Sequence, residues 1–240
     1  MKCLLVQKKD SVLWLTLNRP DKANALSLEL TAALVAALTE AKKSPDVRVV
    51  ILMANGSTFS SGADLDDIRK IQNRADAKKF VGGFVDVLEL LSSLEVPVLA
   101  GVQGPVRGGA LGVLCVTDLV LATEKANFAL PEIKAGLFPF IISPFVTEII
   151  GRRRFLEMAY TGRVLSAAEG KEWGFVSEVV PGEKLELALE TRAARLIEAP
   201  RAILQRARST LRIHSVRDPL GQDPAPFVEA LIATLLEKVK

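Results

Sequence analysis

The stretch Gly104-Pro-Val-Arg-Gly-Gly-Ala-Leu-Gly112 is followed, after an apolar run, by Phe128-Ala-Leu-Pro-Glu-Ile-Lys-Ala-Gly136. The first piece is a glycine-rich turn, which lets backbone N–H groups approach a ligand closely. The second presents a carboxylate, Glu132, directly after a proline. A carboxylate can move protons, and N–H groups in a turn can hold a developing oxyanion, so the pair fits enolate chemistry beside a carbonyl. Each piece alone is common in loops.

Outward from this pair, the pattern alternates. Val96 to Val102 and Val116 to Ala122 read as buried strands flanking the glycine-rich turn. Upstream, Val12-Leu-Trp-Leu-Thr-Leu17 reads as a strand ending at the turn Asn18-Arg-Pro-Asp21. Ser27 can cap a helix that carries Leu30, Leu34 and Leu38 on one face and Lys42 and Lys43 in its last turn. Val47 to Met53 is a second strand, rich in β-branched residues. Residues 64–95 read as helical. The strand–helix alternation argues an α/β core. Beyond Gly151 the composition turns helical, with a capping box at Ser166-Ala-Ala-Glu169, a strand over Phe175 to Val180, and helices over 183–213 and 225–239. The simplest partition is a core over 1–185 and a helical region over 186–240.

The bulk numbers exclude several classes. With 240 residues the chain can bury one large core, and 49% hydrophobic with 25% charged residues is ordinary for a globular enzyme. A formal charge of +3 and the absence of aromatic residues interleaved with basic ones weigh against nucleic acid. The basic clusters Arg152-Arg153-Arg154 and Arg201, Arg206, Arg208, Arg212 read as solvated helix faces or ends. Two cysteines, Cys3 and Cys115, make no disulfide framework, so a cytoplasmic protein is expected, with no signal core and no membrane span. His214 is the only histidine and reads as a helix-face residue. Without further histidines or spaced cysteines no metal site is expected. No G-x-S-x-G elbow, phosphate loop or dinucleotide fingerprint is present.

One further piece, Phe59-Ser-Ser-Gly-Ala-Asp64, directly follows the second strand. With it the chain resembles the crotonase superfamily, the enoyl-CoA hydratase/isomerase family, along nearly its whole length. The matching pieces are Asn18-Arg-Pro-Asp-Lys-Ala-Asn-Ala25, Phe59 to Asp64, Gly101 and Gly104 through Gly108-Gly109 to Asp118, Phe128 with Pro131-Glu132, and later Gly162, Ser166 to Glu169 and Gly174-Phe-Val176. Each is moderately specific; their order and spacing carry the resemblance.

The resemblance implies an α/β fold, a crotonase-like spiral of ββα units with a helical C-terminal trimerisation region, assembled as a trimer or a dimer of trimers. It implies an acyl-CoA thioester substrate and no cofactor beyond the CoA of that substrate. The backbone N–H groups of Ala63 and Gly109 would hold the thioester oxygen, favouring the enolate over the ground state. Lys22, Ala23, Ser61, Gly62, Asp64 and Gly108 would line the CoA side, with Phe140 on the acyl side. Glu132 would transfer the proton.

This chain also departs from the family pattern. Hydratases of the family usually carry a first glutamate six residues before the position of Asp118, and Gly112 stands there. Isomerases of the family use a single glutamate at the Glu132 position, whereas some bacterial hydratases also carry glycine at 112. Phe138, Phe140, Ile141 and Ile142 replace a glycine-rich loop, implying either a dry wall that raises the Glu132 pKa or simple packing beneath the loop. Arg107 is expected in a structural ion pair. The chain stops about one helix short of many relatives, so a more open acyl site, or one completed by a partner subunit, is expected. Hydration or double-bond isomerisation is the leading reading. A decarboxylase, a thioester hydrolase, or a non-catalytic CoA-fold or RNA-binding subunit are the alternatives.

Overall fold

A computed structural model describes residues 2–216 and 225–237. Six strands form the main sheet: β1 (Leu4–Lys9), β2 (Val12–Leu17), β3 (Val49–Ala54), β4 (Val98–Val102), β6 (Leu119–Thr123) and β9 (Glu178–Val180), adjacent in that order. β1 and β2 form an antiparallel hairpin, and every later neighbour is parallel, in registers such as Val50↔Val98 and Gly101↔Leu121. A parallel sheet is normally covered on both faces, which is why its strands read as continuous apolar runs. Along β3, Val50 and Leu52 enter the main core, while Val49 and Ile51 join a second cluster on the opposite face.

That opposite face is covered by α8 (Leu185–Glu198) through Leu185, Leu189 and Ala193. The helix sits so close that a Cβ on Gly101 would stand 2.5 Å from Leu189 Cδ1. The division expected at 185 therefore falls at the first residue of a helix that packs on the sheet.

A second, smaller layer consists of β5 (Val106–Arg107), β7 (Asn127–Ala129) and β8 (Val164–Ser166). Two isolated parallel bridges, Leu26↔Ala63 and Ser60↔Val106, continue it towards the N-terminal half. Each turn of chain thus runs from a main-sheet strand through a short extended segment of the second layer into a helix: α1 (Leu28–Lys43), α2 (Leu65–Ile68) with α3 (Arg74–Ser93), and α4 (Gly109–Cys115). This repeat is the expected ββα spiral.

Local signals set the helix bounds. Ser27 Oγ accepts the Leu30 N–H at 3.2 Å, and Leu30, Leu34 and Leu38 are buried as their spacing predicts. The continuous helix expected over 64–95 is instead two. Asp64 caps α2, and Asn73 caps α3 by accepting from the N–H groups of Ala75 and Asp76 at 2.8 and 3.0 Å. Two Asx caps nine positions apart restart the helix. The capping box of α7 (Ala167–Trp173) is formed as expected.

In the C-terminal half come α5 (Ser143–Ile150), α6 (Arg152–Thr161), α9 (Arg201–Val216) and α10 (Ala225–Glu237). The basic run on α9 is not wholly a solvated face. Arg208 chelates Asp118 with Nε at 2.8 and 3.0 Å and donates to the carbonyls of Leu91 and Leu94, with its side chain only 10% exposed. His214 lies on the backbone of α9; its side chain, like that of Arg212, is outside the described residues. α10 packs on α3, burying Ile232 and Leu235. No helix among the described residues is long and apolar enough to cross a membrane.

Candidate active site

The geometry begins with two glycines in the left-handed region, Gly62 (φ +85) and Gly108 (φ +53), each directly before one of the two expected donors. Both also allow close approach. A Cβ on Gly62 would stand 2.7 Å from the Arg107 carbonyl oxygen, and a Cβ on Gly108 would stand 2.8 Å from Glu132 Oε1. A side chain at either position would push the two loops, or the loop and the carboxyl, apart.

Gly109 is the first residue of α4, where helix N–H groups lack intrahelical acceptors. Among the described residues, neither the Gly109 N–H nor the Ala63 N–H donates to a protein acceptor. Both residues line two adjoining cavities, together with Ile68, Glu132 and Leu137.

The first cavity, about 90 Å³, is walled by Phe80, Val81 and Phe84 of α3, by Phe138 to Ile142, and by Leu231 and Leu235 of α10. The second, about 530 Å³, is a groove lined by Lys22, Ser61, Asp64, Asp66, Arg69, Gly108 and Lys134, among others. One chamber is apolar and the other carries charge. The N–H pair and Glu132 sit where they join.

Glu132 lies in a short 3-10 turn, Pro131–Ala135, closed by Gly136 in the left-handed region. The residue as a whole is half-buried, but Oε2 is fully enclosed and finds no hydrogen-bond partner among the described residues. Burial pushes its pKa up to about 7, partly offset by a backbone hydrogen bond. Phe138, Phe140, Ile141 and Ile142 all line the cavity beside it. Phe138 packs on Phe140, with ring centroids 5.0 Å apart, and edge-on to Phe155 at 5.9 Å. At the position of the family's first glutamate, a Cβ on Gly112 would stand 2.2 Å from Ile142 Cγ2 and 2.9 Å from its Cβ. That space is filled.

The remaining expected residues divide. Lys22 lines the groove and pairs with Asp66 at 3.0 Å, which holds the Asp66 carboxyl below its usual range. Ser61 lines the groove, and its N–H is bound to the Ala23 carbonyl at 2.9 Å. Ala23, in the left-handed region (φ 47), and Gly62 line neither cavity. The carboxylate of Asp64 is already engaged: it accepts from Arg19 Nη1 at 2.8 Å and from the N–H groups of Asp66 and Asp67 at 2.9 and 3.3 Å.

Arg107 corrects an expectation. Its guanidinium donates to the Val106 and Asn127 carbonyls at 2.9 and 3.0 Å and to Asn127 Oδ1 at 2.5 Å, and no carboxylate pairs with it among the described residues. Neutral oxygens of the neighbouring strand satisfy its donors, and burial pulls its pKa down. On the acyl side, α10 lays Leu231 and Leu235 along the cavity, and Arg74 of α3 pairs with Glu229.

A polar scaffold with little signature in the sequence supports the site. Asn24, fully buried with φ 51, donates to the carbonyls of Asn55 and Thr58 at 2.8 Å each, and its own carbonyl accepts Ser60 Oγ at 2.8 Å. These bonds tie the 18–25 turn to the loop that presents Ala63. Their only sequence signal is a run of Asn and Arg around Pro20.

A spiral of ββα units thus places an N–H pair and an enclosed carboxyl where two chambers meet. Residues 7–223 match the family model described as enoyl-CoA hydratase/isomerase, and the chain belongs to that family. A probable enoyl-CoA hydratase of Mycobacterium tuberculosis is 32% identical over 79% of this chain and 72% of its own length. An enoyl-CoA hydratase structure from Mycobacterium smegmatis is 29% identical with a TM-score of 0.86, covering 98% of this chain and 90% of that one. A monofunctional enoyl-CoA isomerase from M. smegmatis is 26% identical with a TM-score of 0.76, covering 92% and 97%. Hydratases and isomerases both lie within this range of similarity.

Proposed function

We propose that this protein is an enoyl-CoA isomerase working with a single base. The observation that carries the reading is the contact between Gly112 and Ile142. The position of the family's first glutamate has neither a carboxylate nor room for one, so among the described residues Glu132 is the one ionisable side chain lining the apolar chamber.

The acyl chain of a 3-enoyl-CoA would occupy the apolar chamber, with the CoA moiety in the groove near Lys22, Arg69 and Lys134. The thioester oxygen would accept from the Ala63 and Gly109 N–H groups. Ionised Glu132 removes a proton from the α carbon, and the electron pair moves into a dienolate stabilised at that oxygen. The protonated carboxyl then returns the proton at the γ carbon, leaving the double bond conjugated with the thioester. One carboxylate suffices because the same group removes and delivers the proton. A pKa near 7 suits both halves of the cycle.

Hydration by the usual two-glutamate arrangement would need a carboxylate in the space that Ile142 fills. Decarboxylation of a charged acyl group would bring a carboxylate into a chamber lined by no cation among the described residues. The family's trimer or dimer of trimers is proposed for the assembly, and light scattering would measure it. Product analysis tests the chemistry. Incubation of 3-hexenoyl-CoA should give the 2-enoyl ester with little 3-hydroxyacyl product; 3-hydroxyacyl-CoA as the main product would overturn the reading.

A further inference from the structure

Leu26 and Ala63 face each other across a parallel bridge. The Leu26 N–H donates to the Gly62 carbonyl at 2.8 Å, and the Asp64 N–H donates to the Leu26 carbonyl at 3.3 Å. Both groups flanking Ala63 are therefore spent on Leu26, so the N–H of Ala63 itself points to the opposite side, as strand geometry requires. The aim of that donor depends on how firmly the two segments are held together.

A single guanidinium nitrogen spans them. Arg19 Nη1 donates to the Ala25 carbonyl at 2.7 Å and to Asp64 Oδ2 at 2.8 Å, gripping the residue before Leu26 and the residue after Ala63. The Arg19 N–H is itself fixed on Asn24 Oδ1 at 2.8 Å. The pair is sheltered, with side chains 19% and 6% exposed. We infer that Arg19 is a positioning residue that fixes the aim of the Ala63 N–H through Asp64 and Ala25. The inference rests on the reading of Ala63 as an oxyanion donor. Arg19 lines neither cavity; it acts because a donor displaced by about 1 Å loses much of its transition-state stabilisation.

Butyryl-CoA, labelled with carbon-13 at the thioester carbonyl and lacking a double bond, reports the donor directly by infrared difference spectroscopy. Wild type should lower the carbonyl stretching frequency relative to solution. Arg19→Lys, and Asp64→Asn, which keeps an N-cap, should each lose half or more of that shift. Both should lower kcat on a 3-enoyl-CoA by roughly 10–100-fold with KM within about threefold. The double variant should be no worse than the poorer single one, since both cut the same link. If Arg19→Lys fails to fold, Asp64→Asn carries the test. Folded variants with the full shift and full kcat would overturn the positioning role alone. A wild type that produces no shift would overturn the donor reading, and this inference with it.

Discussion

Ile142 occupies the space a side chain at Gly112 would need: its Cγ2 lies 2.2 Å, and its Cβ 2.9 Å, from where a Cβ on Gly112 would stand. The far end of a flexible chain could swing away, but a Cβ cannot without moving backbone. Replacing Gly112 by Ala inside α4 brings a helix-propensity gain of about 1 kcal/mol. The overpacking cost is roughly 1–3 kcal/mol or more and should win. Gly112→Ala is expected to lower the urea midpoint, and Ile142→Ala should cost less in that background than in wild type. Additive losses would show that the two positions are not in contact.

Glu132 makes stability fall as pH rises. Its folded-state pKa of about 7 lies above the ordinary value of 4.5, so the folded state holds the proton more tightly than the unfolded one. This contribution is intact below about pH 4.5 and is lost progressively up to about pH 7. The loss is on the order of 3 kcal/mol. Glu132→Gln should therefore be more stable than wild type at pH 8 by about that amount, with the gap closing at pH 4.5. Urea denaturation of the two proteins at both pH values measures it; a pH-independent difference would count against the enclosed carboxyl.

The same group sets the rate profile. As a base it acts ionised, so kcat/KM for a 3-enoyl-CoA should rise to a plateau with an apparent pKa near 7 rather than near the usual carboxylate value. A profile already flat above pH 5 would contradict it.

Gly108 stands between the donor and the base. A methyl there would meet Glu132 Oε1 at 2.8 Å on a backbone with φ +53. Gly108→Ala should cost roughly 100-fold or more in kcat, because it displaces both the Gly109 N–H and the carboxyl. Loss confined to KM would indicate a binding role only.

Arg208 locks α9 onto the core through Asp118 and the last carbonyls of α3. Arg208→Ala should destabilise the protein by roughly 1–3 kcal/mol, chiefly because the part-buried Leu91 and Leu94 carbonyls lose this donor. A change under about 0.5 kcal/mol would return this arginine to the solvated surface.

What was legible in the sequence follows from what each residue depends on. The inner strands of the main sheet could be read because both their faces are buried, so Val49 to Leu52 announce themselves without reference to any neighbour. The second layer could not, since β5 and β8 have two and three residues and exist only through pairing with β7. Glu132 and the two glycine turns were visible as motifs, and Gly112 as a departure from one. That Ile142 fills the space at Gly112 depends on a contact thirty residues away. Arg107 and Arg208 depart from expectation for the same reason: a charge in sequence does not reveal whether its partner is water, a carbonyl or a carboxylate. Arg19 was quoted within a motif, yet its grip on Ala25 and Asp64 emerges only when three segments meet.

The central claim is that one carboxyl removes and returns a proton without adding water, and proton NMR of 3-hexenoyl-CoA turnover in D2O tests it most directly. The account predicts a 2-enoyl product with deuterium at the α or γ carbon, formed by wild type and reduced by roughly a thousandfold or more in Glu132→Gln. A 3-hydroxyacyl product from wild type, or an unchanged rate in Glu132→Gln, would contradict it.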